Sequence, residues 1–243
     1  MKYFHSEHYP IEFVVSENME KDFSSHNHTN HYVISLCVKG SIHIKLEDKS
    51  LVVHENRLFV VPPFMPHAVT LTNTSILVSL CIDKSFLQDY NLTKATEIVE
   101  TILLTPEVSK HLTKVQAELI LQTFPYVHES QPYPYEKLES DIISLCDTLM
   151  DSADTLALDQ LAKDLYISKY YLIKKCKRHL GLTPHHLHIQ YRIRRAQKLL
   201  LTDKSIAEVS MYMGFYDQSH FNKYFRKIVG VSPTEYIASS KII

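Results

Sequence analysis

Short apolar runs separated by turn-forming residues dominate the chain from Asn30 to Ile82. They read HYVISLCV, SIHIKLE, LVV, RLFVV, HAVTL and SILVSLCI, with Lys39-Gly40 and Asp48-Lys49 between the first of them. Strand-like runs this short and this closely spaced are typical of a sandwich or small barrel. The pattern therefore predicts an antiparallel β unit in the first third of the chain.

Helical spacing replaces this pattern further along the chain. Apolar residues recur three or four apart near residues 84–104, 107–124 and 134–150, and the expected breaks are Pro106, Pro125, Pro132 and Pro134. The last of these segments has one continuous apolar face, made of Leu138, Ile142, Leu145 and Leu149. We expect this face to pack on the strands or on a second subunit.

The last third of the chain contains an internal repeat. The segment CKRHLGLTP starts at Cys176, and its counterpart FRKIVGVSP starts 49 residues later at Phe225. Further upstream, LAKDLYIS from residue 161 corresponds to VSMYMGFY from residue 209. Two copies are too few for a solenoid, so the repeat indicates a module that is used twice.

Helix start and stop signals give each copy the form helix, tight turn, helix. In the second copy, Ser205 and Glu208 form a capping box, Gly214 ends a short helix, and Asp217 caps a second helix that Gly230 ends. The first copy has Ser168 and Gly181 in the matching positions, and Thr183-Pro184 starts a connecting helix to about residue 201. That helix would span about 25 Å at 1.5 Å per residue, which suits two units near one DNA turn apart.

Each unit has the form of a helix-turn-helix, whose second helix can enter a DNA major groove. Polar side chains near the start of such a helix read base edges, whereas Lys and Arg more often hold phosphates. The outward residues of the first recognition helix are Lys169, Tyr170, Ile173, Lys174 and Lys177. Those of the second are Gln218, Ser219, Asn222, Lys223 and Arg226.

The charge distribution agrees with this interpretation. Residues 1–150 carry 11 Lys and Arg against 19 Asp and Glu, a net charge of −8, whereas residues 151–243 carry 15 against 8, or +7. A basic module next to an acidic one suggests a polyanion-binding domain joined to a different domain, although a solvated basic surface would give the same count.

These motifs carry a family resemblance. The segment from about residue 156 to 238, and above all IAEVSMYMGFYDQSHFNKYFRKIVGVSPTEY, resembles the paired helix-turn-helix domain of the AraC/XylS transcription regulators. The resemblance implies base-edge contacts by Tyr170, Ile173, Lys174, Gln218, Ser219, Asn222 and Lys223. Two positions depart from the family pattern: Tyr166 stands where glycine is usual, and Ile173 where a polar base-reading residue is common.

The acidic half shows a looser resemblance. The run LFVVPPFMPHAV, with Gly40 upstream, resembles the small cupin barrel that often precedes this DNA-binding domain. Metal-binding cupins use an H-x-H pair, a nearby Glu and a distal His; here His26, His28 and His67 are present, with His31 as a substitute, but the Glu is missing. Three imidazoles suit Zn, Ni, Cu or Fe, yet isolated histidines are weak evidence for a ligand set, which favours ordinary polar residues at a barrel mouth.

The sequence therefore predicts two domains: residues 1–150, a small cupin-like β-barrel with following helices that senses an effector or dimerises, and residues 151–243, an all-α paired helix-turn-helix domain. We expect a cytoplasmic, effector-responsive regulator of transcription, an activator by family resemblance, that binds double-stranded DNA, RNA polymerase and a small-molecule or metal effector. A homodimer is allowed. No cofactor is expected, except a divalent metal as effector, with His26, His28 and His67 as the effector or metal ligands.

Two other classes of function remain open at this point. One is a metal-dependent cupin enzyme carrying a DNA-binding domain, against which the missing Glu argues; no nucleophile and base pair or phosphate loop is visible elsewhere. The other is a regulator whose barrel only dimerises or binds a partner protein. The four cysteines are scattered, which fits a reducing compartment. We expect no leader and no membrane span, since the sequence shows neither a leader pattern nor about 20 consecutive apolar residues.

Overall fold

A computed structural model of the protein describes residues 1–46, 49–129, 140–151 and 158–243. The chain forms two compact units, Met1–Pro134 together with Ser239–Ile243, and Tyr135–Ala238. Within the described residues, no helix is both long enough and apolar enough to cross a membrane.

Strands build the core of the first unit. Before the first helix, the described residues form β1 Lys2–His5, β2 Ile11–Glu17, β3 Lys21–His26, β4 His31–Lys39, β5 Ser41–Leu46, β6 Lys49–His54, β7 Arg57–Val61, β8 His67–Leu71 and β9 Ile76–Asp83. One sheet has the order β1-β2-β9-β4-β7, and a second has the order β3-β8-β5-β6. The strands predicted between residues 30 and 82 are confirmed, whereas β1 to β3 were not predicted.

Strand β4 shows why the two sheets stack. Successive side chains of a strand point to opposite faces, and both faces of β4 are buried. Val33 and Cys37 face a core shared with Ile42 and Ile44 of the other sheet. The alternate residues of β4 (Tyr32, Ile34 and Leu36) belong to a different core, which the helices of this unit complete. The predicted small barrel is therefore a pair of stacked sheets with helices on the outer face of the larger one.

The helices that cover this face are α1 Lys84–Asp89, α2 Leu92–Leu104, α3 Pro106–Ser109 and α4 Lys114–Glu129. Pro125 lies inside α4 and does not end it, contrary to the sequence prediction. The neighbouring Phe124 and Val127 are buried in the core, so packing outweighs the one backbone hydrogen bond that proline removes.

The last strand, β10 Ser240–Ile242, adds to the edge of the larger sheet by pairing in parallel with β1. Main-chain bonds extend this pairing: the Ile243 N–H donates to His5 O at 2.8 Å, and the Glu7 N–H donates to Ile243 O at 2.9 Å. The second unit is thus inserted in the chain between two segments of the first, which a boundary after residue 150 did not anticipate.

The second unit is helical. Its described helices are α5 Ser140–Asp151, α6 Leu158–Asp164, α7 Lys169–Leu180, α8 Pro184–Leu199, α9 Ile206–Tyr212, α10 Gln218–Val229 and α11 Pro233–Ser239. Helix α8 is buried along most of its length and contacts α5, α7, α9 and α10. It is the axis around which both repeats are assembled.

Helix α5 belongs to this second unit, so the compact units differ from the division predicted after residue 150. The cause is its apolar face: Ile142, Leu145 and Leu149 are fully buried, and α5 contacts α8 and α7. Packing on the strands or on a second subunit is therefore not what buries these three residues; Leu138, the fourth predicted member of the face, lies outside the described residues.

Arg192 of α8 ties the connecting helix to the turn of the second repeat. Its Nε donates a hydrogen bond to the carbonyl oxygen of Met213, and its guanidinium lies 4.1 Å from the centre of the Phe215 ring. Phe215 in turn packs on Phe221 of α10, with ring centres 5.2 Å apart. Burial in this position lowers the pKa of Arg192. The arginine is thus a structural residue rather than a free cation.

We expect Arg192→Ala to lower the free energy of unfolding by about 2–3 kcal/mol, because it removes a charged hydrogen bond and a cation–π contact. Chemical denaturation followed by far-UV circular dichroism measures this loss. Arg178→Ala is the matched control, since Arg178 is exposed on α7. Equal unfolding free energies for the two variants would show that Arg192 does not hold the turn.

Candidate functional site

The turn between the two helices has the same main-chain hydrogen bond in each repeat. In the first repeat the Ile167 N–H donates to Ala162 O at 3.0 Å, and in the second the Phe215 N–H donates to Ser210 O at 3.1 Å. A bond of this span closes a helix end in a Schellman motif, which needs a left-handed residue just before the donor. Gly214 supplies it with a φ of 66° and Tyr166 with a φ of 56°.

The predicted caps of the recognition helices are confirmed. The Ser168 hydroxyl accepts from the Tyr171 N–H at 3.2 Å at the start of α7, and the Asp217 carboxylate accepts from the His220 N–H at 2.7 Å at the start of α10. Gly181 and Gly230 end the two helices in left-handed conformation. Local sequence therefore fixes the start, the end and the register of both helices.

Capping boxes mark the starts of α9 and α11. Ser205 donates its N–H and its hydroxyl to Glu208, at 2.8 and 2.6 Å, and Ser232 makes the same pair of bonds to Glu235. Hydrogen bonds to the charged form lower the pKa of both carboxyl groups. The stabilisation they give is therefore present above the ordinary carboxyl pKa and is lost as the pH falls through the lowered values.

Most of the residues predicted to contact DNA on α7 are exposed. Tyr170, Lys174 and Lys177 face solvent, and Ile173 between them is half-buried. Lys169 is exposed as well, but its Nζ lies 2.8 Å from Oδ2 of Asp159 on α6. The helix thus presents a basic face with one apolar position, and one of its lysines already holds an acidic partner.

Helix α10 presents a more polar face. Gln218, Ser219, Lys223 and Arg226 are exposed, and Arg226 lies 3.9 Å from a carboxylate oxygen of Glu235. Asn222 is half-buried, and its Oδ1 accepts no hydrogen bond from the part of the chain that the structure describes. The side chain of Asn222 can therefore turn outward without breaking a bond at that atom.

Two exposed tyrosines next to the turns were not among the predicted contacts. Tyr216, directly before the cap of α10, is 92% exposed, and Tyr166 in the first turn is 96% exposed. An aromatic residue outside the buried stripe of a repeat is the sequence signal that would have identified them.

Two arginines of α8 bond within their own unit. Arg194 donates to Gln197 Oε1 at 2.9 Å, and Arg195 donates to Met150 O at 3.5 Å.

The structure brings His26, His28 and His67 of the first unit together. Strands β3 and β8 pair so that His26 lies opposite His67, next to an irregularity in the register. The ring centres of this pair are 4.2 Å apart, and the His28 ring lies 5.2 and 5.1 Å from them. The Phe64 N–H holds the His28 carbonyl oxygen at 2.7 Å. The substitute, His31, instead faces Asp83 at 3.7 Å.

Comparison with known proteins agrees with the geometry of the second unit. Residues 161–239 match the family model of a helix-turn-helix domain, and this range contains both turns and both recognition helices. It is an AraC-type helix-turn-helix domain.

Relatives of the AraC type align with different shares of the chain. A probable transcriptional regulator, LumQ of Photobacterium leiognathi, is 22% identical over 90% of this chain and 94% of its own. The HTH-type transcriptional regulator ArgR of Pseudomonas aeruginosa is 27% identical over 50% of this chain. The chain spans 39% of that relative, and 27% of the MmsAB operon regulatory protein of the same organism.

The solved structure of ToxT from Vibrio cholerae shares the overall fold class. It has a TM-score of 0.62 and 17% sequence identity, and the match covers 95% of this chain and 98% of that one. At this identity the likeness concerns the fold alone. It confirms the predicted fold class, a β unit with helices followed by a helical unit.

We expect Tyr166→Gly to stabilise the protein. A non-glycine residue in left-handed conformation costs about 1–2 kcal/mol, and glycine removes this strain. Glycine also makes the unfolded chain more flexible, which lowers stability by about 0.5–1 kcal/mol, so the net stabilisation is about 0.5–1 kcal/mol. Gly214→Ala, at the matching turn, should lose about 1 kcal/mol for the same reason. Denaturant titration of both variants measures these changes.

Tyr166→Ala is the control, because it removes the same exposed ring but keeps a Cβ in the left-handed conformation. If the glycine variant is no more stable than the alanine variant, strain at this turn is not what Tyr166 contributes.

Proposed function

We propose that this protein is a sequence-specific DNA-binding regulator of transcription, whose helical unit reads DNA with α7 and α10 and whose β unit responds to a small effector. The observation that carries the proposal is the pair of equivalent, capped helix-turn-helix units, each of which presents a polar face of its second helix to solvent. We propose a regulator rather than an enzyme, since the residues brought together in this unit suit recognition.

Base reading falls mainly to α10 in this proposal. Gln218, Ser219 and Asn222 lie in its first turns, where side chains of a recognition helix reach base edges. An outward-turned Asn222 can pair with adenine through two hydrogen bonds, to N6 and N7. On α7, Ile173 suits contact with a thymine methyl group, so α7 adds shape and apolar contact more than hydrogen-bonded recognition.

Phosphate binding falls to the exposed basic side chains. Lys174, Lys177 and Lys223 are exposed, and such side chains release counterions when they meet phosphates. Lys169 and Arg226 must first exchange Asp159 and Glu235 for phosphate. Exposed ion pairs are worth no more than about 1 kcal/mol, so this exchange costs little.

The β unit is the proposed sensor. An unsaturated fatty acid is bound to wild-type ToxT in another solved structure, which has a TM-score of 0.58 and 16% identity to this chain. This supports response to a small ligand, and we assign that response to the β unit because the helical unit is proposed to read DNA. An effector acts only if it binds two states of the protein with different affinity. By family resemblance, we further propose an activator that contacts RNA polymerase in the cytoplasm, with a homodimer as an allowed assembly.

The DNA interface can be tested with Asn222→Ala. Selection from random double-stranded oligonucleotides with the full chain gives the preferred site, and single-base variants of that site are then ranked by affinity. We expect the variant to lose about 1–3 kcal/mol on the preferred site and to lose discrimination at one base pair. An unchanged ranking would show that α10 does not present Asn222 to the bases.

Lys177→Ala should behave differently from Asn222→Ala. It should weaken binding to all sequences alike and lower the slope of log affinity against log salt by about 1, because one phosphate contact is lost. Lys110→Ala removes the same charge from an exposed site in the β unit and serves as the control. Equal salt slopes for these two lysine variants would contradict a phosphate contact by α7.

A further inference from the structure

Two of the three histidines in the cluster of the β unit, His26 and His67, have the bonding pattern of metal ligands. Nδ1 of His26 lies 2.9 Å from Ser24 O, and Nδ1 of His67 lies 2.9 Å from Met65 O. A carbonyl oxygen can only accept, so each Nδ1 carries the proton and the lone pair of the neutral ring is on Nε2. Histidines that ligate metals are oriented in this way, with the other ring nitrogen donating to a backbone carbonyl or carboxylate.

The spacing of the three rings agrees with one shared ion. One nitrogen from each ring can be chosen so that all three lie within 4.8 Å of one another. Three nitrogens that bind one tetrahedral ion at 2.0–2.1 Å stand about 3.3 Å apart. Small side-chain rotations, together moving nitrogens by about 1.5 Å at most, would therefore bring the set to ligand distance.

The backbone around the cluster is well fixed. His26 and His67 lie on paired strands, and the 28–30 segment is held by two main-chain bonds, from the Phe64 N–H to His28 O and from the Lys84 N–H to Asn30 O, both at 2.7 Å. His67 is buried, at 4% exposure, and the other two rings are half-buried. Metal binding thus requires little loss of conformational entropy.

We propose that His26, His28 and His67 bind one divalent transition-metal ion, with a fourth coordination position left for water or another ligand. An all-imidazole set favours Zn²⁺, Co²⁺, Ni²⁺ or Cu²⁺ over Mg²⁺ and Ca²⁺, which prefer oxygen. The site goes beyond the proposed function, because binding of the ion does not depend on DNA. Only a role for the ion as effector would rest on that function.

The test is titration of the chelator-stripped full chain with Zn²⁺ against a chromophoric competitor. We expect one equivalent of Zn²⁺ to bind and Mg²⁺ not to compete, and Co²⁺ to give the visible absorption of a tetrahedral site. His67→Ala and His28→Ala should each weaken Zn²⁺ binding by at least about 100-fold, since losing a group that merely orients a ligand already costs 10–100-fold. His43→Ala, at an exposed position on β5, should bind as the unchanged protein does.

Three results would overturn the proposal: no stoichiometric Zn²⁺ binding by the unchanged chain, equal loss in His43→Ala, or full retention in both cluster variants. Because His67 is buried, the melting temperature of each metal-free variant is measured first, and the half-buried His28 gives the decisive variant if His67→Ala does not fold. DNA affinity is measured on the same samples. Metal binding without DNA binding, or the reverse, would separate this proposal from the proposed function.

Discussion

Burial of one helix, α8, is the constraint on which the helix-turn-helix unit depends. It connects the two repeats in sequence and contacts helices of both in space. Its core residues include Leu187, Ile193 and Ala196, all fully buried. A helix buried this completely cannot shift without opening the core on both sides, so the two recognition helices are held in one fixed relation. One chain thereby holds two equivalent helix-turn-helix units rigidly together.

Within each repeat, the turn transmits this rigidity to the recognition helix. The left-handed residue at position 166 or 214 reverses the chain, and the cap at Ser168 or Asp217 starts the next helix within three residues. In the second repeat, the stack of Arg192, Phe215 and Phe221 adds side-chain packing to the same turn. Side chains that suit base reading therefore stand on a short, rigid support, as a specific site requires.

The β unit gathers its histidines by a different physical route. His26 and His67 are distant in sequence, and the register between β3 and β8 places them on opposing positions. The local pattern did not predict β3 at all, because KDFSSH is polar and lies at a sheet edge. The three residues were identifiable as candidates from their type, but only the pairing of non-local strands shows that their rings meet.

The sequence by itself determined what depends on near neighbours: the strands between residues 30 and 82, the caps, the glycine helix ends, the repeat and its polar faces. The caps and helix ends rest on bonds spanning three to five residues, and the strands and polar faces are visible in the spacing of nearby apolar and polar residues. Tertiary structure alone decided that α5 packs on α8, that Pro125 stays helical, that β10 returns to β1 and that Arg192 is structural. Each of these depends on a distant part of the chain: burial of apolar side chains decides the first two, and main-chain pairing and a hydrogen bond to Met213 decide the others.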